Sequence, residues 1–134
     1  MTEENQRRNA LDELERAQTC LGEAQALRED GFPYGAASRA YYAVFHAARA
    51  LLFAVGLEAK THKGVASLIG EHYVRPGKLS SAMGRLVSRM QRDREDADYA
   101  SGAVFTDEEA SQMIADAETF LTEARRLTSV SRPA

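Results

Sequence analysis

Ala36–Leu52, AASRAYYAVFHAARALL, is the stretch that decides the fold. Ala37, Ala40, Tyr41, Val44, Phe45, Ala48, Leu51, Leu52 and Val55 recur at steps of three and four residues. That spacing is the mark of a buried helical stripe. Beside it run Tyr42, His46, Arg49 and Phe53, also at helical spacing. A helix that is apolar on one face and aromatic-basic on another has to touch two things. One is its own core; the other is a ligand, a partner chain or a polar site.

Working outward, the pattern predicts five helices. The first runs from about Glu3 to Asp30, with Leu11, Leu14, Ala17, Leu21, Ala24 and Leu27 on one stripe, and Asp30-Gly31-Phe32-Pro33 ends it. The second spans about Tyr34 to Val55 and stops at Gly56. Thr61 is the expected N-cap of a short third helix, about His62 to Tyr73. Arg75-Pro76-Gly77 is a turn, and the fourth helix follows from about Ser80 to Tyr99, with Met83, Leu86, Val87 and Met90 inside. Ala100–Phe105 is expected to be a loop. Thr106 and Glu109 have the spacing of a capping box, opening a fifth helix with Ala110, Met113, Ile114, Ala117, Leu121, Ala124 and Leu127 to about Ser129. The tail to Ala134 is expected to fray. Long helices with short connections make an all-α antiparallel bundle, one domain over residues 1–134.

Composition narrows the function classes. No apolar run reaches the length of a membrane span, and Met1–Ala10 is polar, so neither membrane insertion nor a signal peptide is expected. The single Cys20 has no disulfide partner in the chain and suits a reducing cytoplasm. The formal net charge of −3 does not point to nucleic acid. Its distribution says more: residues 75–94 hold Arg75, Lys78, Arg85, Arg89, Arg92 and Arg94 against one acid, Asp93, a local basic segment within an acidic chain. A solvated helix face would give the same letters.

Three places have the residue types for chemistry. The stripe Met83–Val87–Met90 continues to Arg94, and Asp98 lies four residues on. A core-facing guanidinium has to be paired, so Arg94–Asp98 is either an ion pair closing the bundle or a cation poised beside Tyr99 to hold a phosphate. His46 shares a face with Tyr42 and Arg49, where a packing role and an acid–base role are both open. Lys60-Thr61-His62-Lys63 opens a helix, where free N–H groups favour anions. His46, His62 and His72 lack the spacing of metal ligands, and no phosphate loop or dinucleotide fingerprint occurs, so neither a metal nor a cofactor is expected.

Three segments together resemble the HEPN domain family. Ser38–Leu52, SRAYYAVFHAARALL, is similar to its YYAxFHAAxALL segment; Lys60–Val65, KTHKGV, matches its KTHKGV segment; Arg94–Tyr99, REDADY, looks like its RxxADY segment. The resemblance implies a four-helix core plus a short helix, acting as a homodimer. Many HEPN proteins are metal-independent RNases that carry an Arg and a His in an Rx4–6H motif. Toxin members extend it to RxxxxHxY, pair with a nucleotidyltransferase antitoxin, and can take AMP on the motif tyrosine. Arg92–Tyr99 fits that form, with Tyr99 as the modifiable residue, but Ala97 stands where the histidine belongs. Alanine moves no proton. Arg39 and His46 also satisfy Rx6H in letters, but on the second helix, where the match is read as accidental.

The resemblance thus implies an RNA-acting, toxin-like protein. Arg92, Arg94, Asp98 and His46 are its candidate catalytic residues. Arg85, Arg89, Lys60, His62, Lys63 and Tyr42 are its candidate RNA or nucleotide contacts. The alternative is a non-catalytic nucleotide- or RNA-binding module partnered with the transferase. The apolar and aromatic surface of the second helix, more than a small bundle needs, is a separate motive for a homodimer.

Overall fold

The computed structural model describes the backbone of residues 2–99 and 105–128, and the side chains of residues 2–95 and 105–128. Five α-helices follow one another: α1 (Glu3–Glu29), α2 (Pro33–Ala54), α3 (His62–Ile69), α4 (Ser81–Tyr99) and α5 (Asp107–Thr128). A single π-helical turn, Gly70–Val74, continues α3. Among the described residues there is no strand, and the all-α bundle stands.

The helix ends follow their capping chemistry. Thr2 accepts from the Asn5 amide, Thr61 from the Gly64 amide at 2.9 Å, and Ser80 from the Met83 amide. Thr106 and Glu109 form the reciprocal capping box at 3.1 and 3.0 Å. Both α1 and α2 end in Schellman motifs that need a left-handed residue. Gly31 (φ 87°) lets Phe32 N–H reach the Leu27 carbonyl, and Gly56 (φ 78°) lets Leu57 N–H reach that of Leu52. Pro33 does not merely end α1. It starts α2, where its missing N–H costs nothing.

α2 is the central element. It packs on α1 most extensively, then on α5, and α3 and α4 close its remaining sides. Ala36, Ala37, Ala40, Tyr41, Ala43, Val44, Ala47, Ala48, Ala50, Leu51 and Leu52 are all essentially inaccessible. This removes the surface motive for a dimer, because the apolar surplus of α2 is buried inside one chain by four neighbouring elements.

Two expected core positions are corrected: Leu11 is 44% exposed and Val55 45% exposed, whereas Leu27, Met83 and Leu127 are partly buried against the core. On α1 the buried line passes through Ala10, Leu14, Ala17, Leu21 and Ala24. Leu11 follows Ala10 by one residue, about 100° round the helix, and so falls outside it. Glu13 lies on the other flank of the same line and is buried instead. The third helix also turns out shorter than expected, because its last turn from Gly70 opens to π spacing, with Arg75 N–H bonding the Gly70 carbonyl. Residues 100–104 of the expected loop Ala100–Phe105, Ser129 and the tail to Ala134 lie outside the described residues.

Candidate functional site

The aromatic-basic face of α2 is the meeting place of three helices. Arg39, Tyr42, His46 and Arg49 are all partly accessible and succeed one another along it. α1 runs antiparallel on one side and presents Glu13, Arg16 and Glu23. α3 and α4 on the other side bring His62 and Arg94.

On the α1 side, Nδ1 of His46 lies 2.7 Å from Oε2 of Glu13, and Oε1 of Glu13 takes a hydrogen bond from Arg16 at 3.0 Å. A carboxylate only accepts, so Nδ1 carries the proton and Nε2 is the basic nitrogen. Glu13 is just 3% exposed. Burial works to raise its pKa. The His46 hydrogen bond, with the charges of Arg49, His46 and Arg16, more than offsets this and holds the carboxyl below its ordinary value. Arg39 pairs with Glu23 at 3.5 Å, and Arg49 reaches Glu58 only at 3.8 Å. The Nε–H of Arg49 is buried and makes no hydrogen bond within the described protein.

On the other side the rings form one stack. His62 lies parallel to Phe45 with centroids 4.4 Å apart, and its Nδ1 meets the Tyr41 hydroxyl. Burial first, then the charge of Arg94, pushes the His62 pKa down. Burial also raises that of Tyr41. The Arg94 guanidinium sits 5.4 Å from the Tyr41 ring centre and 5.5 Å from that of Tyr42. Tyr42 carries a second guanidinium, from Arg39, at 5.0 Å.

The residues singled out by sequence separate into two groups. His46, Tyr42, His62 and Arg94 come together. Arg85, Arg89 and Arg92 do not join them, because they share one side of α4 while Arg94 points to another. Arg85 and Arg92 are exposed, and Arg89 binds Asp116 of α5 at 2.8 Å. The basic segment is therefore not one groove. Lys60 and Lys63 are exposed, while His62 turns inward from its helix start to the ring stack. The side chains of Ala97, Asp98 and Tyr99 lie outside the described residues, and so does any Arg94–Asp98 pair. Glu13 was missed by sequence reasoning. Its signal was present: Ala10, Glu13 and Ala17 are spaced three and four apart, which puts an acid on the buried side of α1.

A separate cleft of about 860 Å³ lies between the first half of α1 and the end of α5, lined by Arg7, Leu11, Leu14, Ala54 and Arg125 among others. It contains none of these site residues. Among the described residues, no three His, Cys, Asp or Glu side chains converge as a metal site, and no helix is long and apolar enough to cross a membrane.

The all-α bundle agrees with what the sequence matches. The family model described as HEPN domain covers residues 10–127. The chain belongs to the HEPN domain family. It is 34% identical over 112 residues to a "UPF0332 protein" of Thermotoga maritima, covering 84% of this chain and 85% of that one. It is 35% identical over 113 residues to "Putative toxin MJ0605" of Methanocaldococcus jannaschii, covering 84% of each. A second protein of that archaeon with a toxin name, "Putative toxin MJ0142", is 25% identical over 113 residues, covering 84% of this chain and 77% of that one.

Proposed function

We propose that this HEPN protein acts on RNA in the cytoplasm, as the toxin-like half of a pair whose other half is a nucleotidyltransferase-type antitoxin. The toxin names of two relatives support the toxin-like reading. The observation that carries the RNA reading is Tyr42. Its partly accessible ring has Arg39 at 5.0 Å and Arg94 at 5.5 Å, with His46 one turn further along the helix. Aromatic rings beside guanidinium groups are what single-stranded RNA binds, bases stacking on rings and phosphates meeting cations. Two guanidinium groups converge on the one Tyr42 ring, which favours an anionic ligand there. A homodimer would double the face. Tyr99 is the residue that a nucleotidyltransferase would modify.

The alternative, a binding module that does not cut, is favoured by Ala97 in place of the motif histidine. One experiment serves both. Purified protein is incubated with labelled total RNA in EDTA, and filter retention is measured in parallel across a salt series. We expect retention that falls with salt, weaker in an Arg39→Ala/Arg94→Ala variant of unchanged helicity. The log–log slope of that variant should be smaller by about 0.7 for each phosphate it no longer neutralises. Equal retention by parent and variant at every salt concentration would remove the RNA reading of this face. Retention without cleavage would favour the binding module.

A further inference from the structure

We propose that Glu13, His46 and Arg49 form an acid–base and phosphate-holding unit on the α1–α2 face, supplying the proton transfer that Ala97 cannot. His46 is the catalytic base, Arg49 the phosphodiester ligand and Glu13 the positioning residue. The assignment rests on the RNA reading above and gives it a reaction: cleavage of a phosphodiester that has a neighbouring 2′-hydroxyl.

Three independent features carry it. Glu13 is 3% exposed, and a buried carboxylate is an expensive way to fasten two helices that already share an apolar seam. It bonds Nδ1 of His46, which leaves Nε2 as the basic nitrogen of a side chain that keeps 19% exposure. A carboxylate behind an imidazole fixes its tautomer and stabilises its protonated form. Arg49 follows His46 by three residues, so the two side chains are neighbours on one face. The Arg49 side chain keeps 24% exposure and its contact to the exposed Glu58 is long at 3.8 Å, which leaves its terminal N–H groups within reach of a ligand. Phe45 and Phe53 lie 5.8 and 5.5 Å from the guanidinium carbon and hold the group in place. A phosphate oxygen accepting from Arg49 would bring the ribose hydroxyl of the same nucleotide to the edge of His46.

The step balances without metal, oxidant or reductant. The 2′-hydroxyl proton passes to Nε2 of His46 as the 2′-oxygen forms a bond to phosphorus. The bond from phosphorus to the 5′-oxygen breaks. The imidazolium returns its proton through water to that departing oxygen. The products are a 2′,3′-cyclic phosphate and a 5′-hydroxyl.

The test compares parent, His46→Gln, Glu13→Gln and Arg49→Ala, each checked for helicity, on a labelled RNA oligonucleotide in EDTA across a pH series. Retention of its 2′-O-methyl analogue is measured alongside. We expect the analogue to be bound but never cut, and RNA to be cut to the cyclic phosphate. His46→Gln should bind like the parent and lose cleavage about 100-fold or more. Glu13→Gln should keep binding and cut more slowly, with the loss in kcat and KM unchanged, and Glu13→Asp should recover part of it. Arg49→Ala should weaken both binding and cleavage. Cleavage that survives in His46→Gln, or a Glu13→Gln variant with the kcat of the parent, overturns the unit and leaves the RNA reading intact. Binding without cleavage by the parent also overturns the unit while keeping RNA as the ligand. Failure to retain either oligonucleotide removes the RNA reading itself, and the unit with it.

Discussion

Tyr41, which has no accessible surface in the middle of α2, is hydrogen-bonded through its hydroxyl to Nδ1 of His62 at the start of α3. The phenol is held neutral by burial and donates, so Nδ1 accepts and His62 is neutral, with its proton on Nε2. One side chain thus ties the core of the bundle to the candidate site. Protonating His62 would set a charge against Arg94 and take away the acceptor of a buried hydroxyl.

This fixes a pH dependence. Burial and Arg94 lower the folded-state pKa of His62, so between that value and about 6.5 the unfolded chain binds more protons than the folded one. Stability should fall as pH drops below about 6.5, and His62→Gln should flatten that part of the curve. Urea unfolding of parent and variant at several pH values checks it. Parallel curves over that range would show that His62 is not the titrating group.

Tyr73 should matter for a different reason. Its hydroxyl donates to the Leu51 carbonyl at 2.5 Å, in the last turn of α2, where helix carbonyls lack partners of their own. Burial pushes its pKa up to about 12, so the phenol stays a donor at any ordinary pH. Tyr73→Phe leaves that carbonyl unsatisfied beside a buried ring, and should cost about 1–3 kcal/mol in denaturant unfolding. A cost well below this range would mean that water reaches the carbonyl.

These side chains also show what could and could not be read in advance. The period of Ala37–Leu52 and the punctuation at Gly31, Gly56, Thr61 and Thr106 were legible, because helix periodicity and capping are local physics. The line from Met83 through Met90 to Arg94 rightly aimed a guanidinium inward. The Tyr41 and Tyr42 rings it meets belong to another helix, and no local pattern names them. Glu13 was hidden by its neighbours: Leu11 and Leu14 look like the better stripe, and only the rotation of α1 against α2 decides between them. The basic segment misled for the same kind of reason. Nearness in sequence placed Arg89 beside Arg94, while helix geometry sends them to different sides.

Gly84 marks a close approach. A Cβ there would run into Cγ2 of Val74 in the π-helical turn. Alanine gains about 1 kcal/mol of helix propensity over glycine, whereas forcing a methyl into a packed contact costs about 1–3 kcal/mol. We expect Gly84→Ala to be destabilising on balance, by about 1 kcal/mol, and Gly84→Ala/Val74→Ala to recover part of that stability. Stabilisation by the single change would show that Val74 turns aside freely.

The Glu13–His46 contact makes the sharpest stability prediction, because its pH window differs from that of His62. The folded carboxyl lies below its ordinary value of 4.5, so its contribution is present above about 4.5 and is lost as pH falls through the folded pKa. Glu13→Ala leaves His46 without its partner beside a small cavity and should cost about 3 kcal/mol at neutral pH. Replacing both partners by leucine should cost far less than the two single leucine variants together, because an apolar pair at such a seam has no charge to desolvate. A double-mutant cycle followed by urea unfolding at neutral pH and near pH 4 measures this directly. A double-leucine variant as stable as the parent but inactive on RNA would mean that the charges are kept for chemistry and not for folding. A double variant as damaged as the sum of its singles would mean that Glu13 and His46 are not coupled and that the contact contributes nothing of its own to stability.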